Sequence, residues 1–145
     1  AFERHFVFAD FDPKAGKPAP KGFDPRPHFA IVCGARGCPP LRPKVFLPDS
    51  IDAQLDDAVR TALASPLHLQ WEPAASFLTG SAIFDWCAAD FGGPQGAIDF
   101  IKRYAPEPIR TQLAGRKITK ISGIVPWDWM LNQTRMEVGG ALRTG

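Results

Sequence analysis

The sequence predicts an α+β domain with a central, mainly antiparallel sheet flanked by several short helices. Three observations lead there. Residues 51–64 repeat apolar side chains at spacings of three and four, residues 67–72 alternate apolar with polar, and 15 prolines and 13 glycines divide a 145-residue chain into short elements. That length suits one domain, able to bury roughly two-thirds of its unfolded surface in a single core.

Each element follows from its residues. The chain opens with Phe2, Phe6, Phe8 and Phe11, aromatics that need cover, and continues into residues 12–27, which hold five prolines and two glycines. Proline fixes φ and donates no hydrogen bond, so this stretch is expected as a loop or extended arm. Residues 1–27 are thus read as an aromatic start with a Pro-rich arm, and residues 28–145 as the core of a single domain. His28 to Cys33 is a short apolar run between Pro27 and Gly34, expected as a buried strand, after which Gly34, Gly37, Pro39 and Pro40 force a turn. Over residues 51–64 the face is Ile51, Leu55, Ala58, Val59, Ala62 and Leu63. Asp49 or Ser50 is placed to cap this helix, Asp52 suits its positive end, and Pro66 stops it.

Residues 67–72 then read as a half-buried strand ended by Pro73, and Phe77 with Leu78 begins another extended piece. Phe84, Cys87, Ala88 and Phe91 share a face if residues 81–91 are helical, with Gly92 and Gly93 as the stop. Further helices are expected at 98–104, with Pro94 near the first turn, and at 107–114, ended by Gly115. The β-branched run 117–125 reads as a strand bent at Gly123.

Several functions are excluded by composition. The chain is 45% hydrophobic and 22% charged with a net charge of only +2, and its basic residues are scattered, so it lacks the electrostatic footprint of a nucleic-acid binder. Its apolar runs fall short of the roughly 18 residues a membrane-spanning helix needs. No cofactor is implied. The start, Ala1-Phe2-Glu3-Arg4, has neither initiator Met nor secretory signal, and is read as a processed or fragmentary chain.

The densest chemistry lies in residues 28–42. His28 and Asp128 are the first candidate pair: a strand histidine whose tautomer a carboxylate on another strand can hold for base work, or else a strand start and a turn cap. Cys33 and Cys38 enclose Gly34-Ala35-Arg36-Gly37, and three readings stay open: a local disulfide, a reactive thiolate helped by Arg36, or two small buried groups. A zinc site is disfavoured because no second Cys or His pair lies at ligand spacing. Cys87, on an apolar helical face, reads as core. Arg36 and Arg42 flank the cysteine loop and suit a carboxylate, or are simply solvated. Trp127 and Trp129 point the same way in an extended segment, as packing or as a stacking wall, with Asp128 opposite and Asn132 beyond. His5 and His68 have no companions, and Asp85, Asp90 and Asp99 read as a solvated helical face.

Three blocks resemble the domain-of-unknown-function family 547: residues 24–42, from Asp24-Pro25-Arg26-Pro27-His28 through Cys38-Pro39-Pro40-Leu41-Arg42; then Ile83-Phe84-Asp85-Trp86 with Asp90-Phe91; then residues 128–132. Gly37, Cys87, Trp127 and Met130 depart from the family's usual Ser, aromatic, Tyr and Ser. The resemblance implies that a segment normally preceding this part is absent, so the chain looks like the C-terminal two-thirds of the domain. That segment, or a protein partner, would then cover an apolar face. It also implies a periplasmic or secreted setting, and hence a Cys33 to Cys38 bridge. By analogy the order of helix, His strand and Asp strand is similar to papain-like and transglutaminase-like thiol enzymes, where fold alone licenses no activity.

Two functions are compatible with these residues. One is a non-catalytic binding or assembly module, such as a subunit of a larger complex. The other is a thiol-dependent hydrolase or acyltransferase with His28 as base, Asp128 as orienting carboxylate, and Cys33 or Cys38 as nucleophile or pocket wall.

Overall fold

A computed structural model of the chain describes residues 23–132. The aromatics at Phe2 to Phe11, His5, the arm up to residue 22 and residues 133–145 lie outside the described residues. In chain order the described part runs through a 3-10 turn at Arg26–Phe29 and a second at Pro48–Ser50, then α1 (Ile51–Leu63), β1 (Leu69–Glu72) and β2 (Phe77–Ser81). Next come α2 (Ile83–Trp86), α3 (Gly93–Tyr104), α4 (Glu107–Ala114) and β3 (Gly123–Val125). The class is α+β. Its three-stranded sheet has the order β1-β2-β3, with β1 antiparallel to β2 from Leu69 opposite Gly80 to Glu72 opposite Phe77. On the other edge of β2, β3 runs parallel, from Thr79 opposite Gly123 to Ser81 opposite Val125. A parallel neighbour requires a long crossover, and α2, α3 and α4 are that crossover.

The core follows from the helical periodicity. On α1, Leu55, Ala58, Val59, Ala62 and Leu63 are buried, and on α3 Ala97, Ile98, Ile101 and Tyr104 are. Phe29 sits among Phe84, Phe91 and Phe100, with ring centroids 5.6, 6.4 and 5.8 Å away. Such aromatic groups supply large buried areas and tilted contacts that fix their neighbours' orientation. Gly96 lies against the backbone of this group: a Cβ there would clash with the Phe91 carbonyl.

Five local expectations are corrected. Residues 28–33 do not form a strand. Pro25 and Pro27 preset φ for a tight turn, the Asp24 carboxylate accepts from the Arg26 amide at 3.0 Å, and the amides of His28 and Ala30 bond the carbonyls of Pro25 and Pro27. Those donors are therefore spent locally, none in a ladder. The same turn makes the end of the Pro-rich stretch a structured element, not a loop. Ser50 stands at the N-cap of α1 but makes no capping bond; its hydroxyl bonds the Gln54 side chain at 3.3 Å instead.

The helix expected over 81–91 spans only Ile83–Trp86, because Cys87 leaves helical geometry and the chain continues in turns to Gly92 at φ +78°. In the stretch expected as a strand over 117–125, only Gly123–Val125 pairs. Ile118 and Ile121 both pack on the core, and a spacing of three cannot put two side chains on one face of a strand.

Candidate thiol site around His28

The 3-10 turn drives His28 inward, where 4% of its surface is exposed. The turns after α2 do the same for Asp90, and the two meet at 2.9 Å between His28 Nε2 and Asp90 Oδ2. Cys87 approaches the other ring nitrogen, its Sγ 3.6 Å from His28 Nδ1. The three groups thus cluster around one imidazole, with Cys87 half-buried. The rings of Phe23 and Phe91, with centroids 6.1 and 5.9 Å from that of His28, hold the imidazole in place. The second carboxylate oxygen of Asp90, Oδ1, is buried with no hydrogen-bond partner among the described residues. All three functional atoms lie within 4.8 Å of one another, close enough for a metal ion to be considered beside the proton-transfer reading.

The residues singled out from sequence are distributed differently from their expected pairing. His28 is met by Asp90, and no hydrogen bond joins it to Asp128. Asp128 accepts the Met130 amide through Oδ1 at 2.9 Å and the Gly37 amide through its carbonyl, also at 2.9 Å, the behaviour of a turn cap. Cys33 and Cys38 face each other, Sγ to Sγ at 3.1 Å, and no disulfide is formed among the described residues. Burial pushes the Cys38 thiol up from its ordinary pKa, and the hydrogen bond with Cys33 adds to the shift. Arg42 binds Asp57 on α1 at 2.6 Å, while Arg36 is exposed and its amide donates to the Met130 carbonyl. Trp127 and Trp129 join Trp86, with centroids 4.8 and 6.0 Å away, in an aromatic group beside Cys87. Asn132 is exposed, its amide bonded to the Gly34 carbonyl at 2.7 Å.

Three residues escaped the sequence reading. Asp90 is buried, not part of a solvated face, and Cys87, packed against the core as expected, also touches an imidazole. Their spacing of three was the available signal, since it puts both on one side of a helical turn. His68, 1% exposed, packs beside Ser81, and burial lowers its pKa against the opposing effect of a hydrogen bond with the Cys38 backbone.

Close to the site lies a cavity of about 690 Å³, lined in part by Phe23, Arg26, Asp56, Phe100 and Tyr104. Arg26 fills much of its wall, gripping Asp24, Asp52 and Asp56 at 2.7, 2.6 and 2.8 Å. These bonds raise the guanidinium pKa. They also hold the Asp56 carboxyl low against its burial, with help from the Tyr104 hydroxyl, while at Asp24 burial is outweighed by the bonds from Arg26. One guanidinium thus faces three carboxylates, and Asp99 and Arg103 line the same cavity.

Residues 5–61 match the family model described as "Protein of unknown function, DUF547". The first of the three sequence blocks, with His28, Cys33 and Cys38, lies inside that match; Cys87 and Asp90 lie beyond it. No curated protein and no solved structure matches the chain.

Proposed function

We propose that this domain is a thiol-dependent hydrolase or acyltransferase in which Cys87 is the nucleophile, His28 the base and Asp90 the orienting carboxylate. The observation that carries this reading is that both nitrogens of His28 are engaged, Nδ1 by Cys87 Sγ at 3.6 Å and Nε2 by Asp90 Oδ2 at 2.9 Å. With Nε2–H donated to Asp90, the neutral ring turns the lone pair of Nδ1 toward the thiol. Attack on an acyl carbon forms a C–S bond while the thiol proton passes to His28. The leaving alcohol or amine departs with that proton as the acyl C–O or C–N bond breaks. Water, or another nucleophile deprotonated by His28, then cleaves the thioester and restores the thiol.

The test is p-nitrophenyl acetate hydrolysis by the purified chain. Cys87→Ala and His28→Asn are each expected to lower the rate by about a hundredfold or more. Iodoacetamide labelling of Cys87 should slow in parallel in the His28→Asn protein. Wild-type rates in a folded Cys87→Ala protein would sink the proposal.

A second reading, the non-catalytic binding or assembly module, is favoured by the consecutive exposed side chains of Trp129, Met130 and Leu131, at 70%, 64% and 61%. It expects hydrophobic-dye binding by the isolated chain that drops when these three become polar. Absence of dye binding argues against it.

A further inference from the structure

We propose that Cys33 and Cys38 form a second thiol site, separate from Cys87: a dithiol that exchanges with small-molecule disulfides and, once oxidised, braces the segment carrying the tryptophans. Three features of the loop support this. The sulfurs are 3.1 Å apart, and the Cys33 amide donates to the Cys38 sulfur at 3.2 Å, which holds the two residues face to face. Cys33 is exposed while Cys38 is only 9% exposed, so one thiol meets solvent and the other waits behind it. The residues between them are the clamp on the chain's later segment. The Arg36 and Gly37 amides bond the carbonyls of Met130 and Asp128, the Asn132 amide bonds Gly34, and Ala35 bridges Leu131.

The exchange is balanced with a disulfide of the glutathione type as oxidant. The Cys33 thiolate attacks one sulfur of the reagent, its S–S bond breaks, and one glutathione thiol leaves. Cys38 then loses its proton to solvent and attacks the Cys33 sulfur of the mixed disulfide, and a second glutathione departs. Two protein thiols are oxidised and one disulfide is reduced. Closing the loop restricts the opened states of residues 33–38. Gly37 transmits that restriction, because even a Cβ there would stand 2.8 Å from the Trp127 ring and 2.9 Å from the Asp128 amide.

The experiment uses oxidised glutathione on the Cys87→Ala chain, leaving only this pair of thiols. The intact mass should fall by two hydrogens, and after trypsin the peptides on either side of Arg36 should remain joined. Cys38→Ser should instead retain one glutathione on Cys33. Wild-type chain, oxidised and reduced, supplies a measurement free of substitutions: exchange of the Arg36, Gly37 and Asn132 amides should be on the order of tenfold slower when oxidised. Thiols that stay reduced in excess oxidised glutathione overturn the site, and amide exchange indifferent to oxidation overturns the brace.

Discussion

Cys87 and Cys33 are the same residue type in two unlike surroundings. Cys87 sits beside an imidazole backed by a buried carboxylate, so what its neighbours offer is proton transfer. Cys33 sits beside another sulfur on an exposed loop, so what its neighbour offers is electron-pair exchange. The first site is built from the aromatic core outward, on Phe29, Phe84 and Phe91. The second is built from backbone hydrogen bonds between two irregular segments. A thiol's chemistry is set by what the fold brings to it, and the two frameworks should fail separately.

The strongest way to separate them is Phe29→Ala. It removes a ring that is 1% exposed and touches Phe84, Phe91 and Phe100, at a cost of about 3–5 kcal/mol in denaturant unfolding. In any folded fraction, Cys87 labelling should lose its dependence on His28 while the Cys33 and Cys38 pair still oxidises. Gly37→Ala is the converse. Its new methyl clashes with Trp127 and should cost about 1–3 kcal/mol, shift tryptophan emission and leave Cys87 labelling unchanged. An unshifted emission spectrum would show that the clamp does not reach the tryptophans.

Arg26→Met tests whether the acidic cluster is a third framework. It leaves Asp24, Asp52 and Asp56 facing one another, but two of them are well exposed, so the loss should be about 1 kcal/mol and shrink in high salt. A loss that ignores salt would point to packing by the Arg26 stem instead.

The smallest effect is on pH. His68 has a lowered pKa in the fold, so the unfolded chain binds more protons as pH falls through 6.5. Its contribution is present above that pH and is lost below it. Asp24 and Asp56 are also lowered, so theirs is present above about 3.8 and lost as pH falls through the lowered values. Urea midpoints should therefore decline in two stages on acidification, and His68→Phe should flatten the first. A first stage that survives this substitution would assign it to another group.

Much of the frame was legible because it follows from local pattern. The periodicity of residues 51–64 marks α1, the alternation of 67–72 marks β1, and Pro94 and Gly115 punctuate the later helices, since burying one face imposes a period on any regular element. Less of the site was legible. Residues 28–33 are apolar enough for a strand, yet Pro25 and Pro27 spend the neighbouring donors in a turn, and His28 enters the core from there. Asp128 has a carboxylate's chemistry and a turn cap's position. Nothing local pairs Asp90 or Cys87 with His28, because a side chain 59 or 62 positions from its partner is brought to it by packing alone.

By itself, the sequence determined that the chain builds an α+β core of short elements without a long apolar span, and that His28 and two of its cysteines lie within one stretch of residues. Only the tertiary structure decided which carboxylate meets His28, which thiol stands at its other nitrogen, and that Cys33 and Cys38 face each other across the clamp. The reason is range: hydrophobic period and turn chemistry act within a few residues, whereas a reactive geometry depends on contacts between segments far apart in the chain.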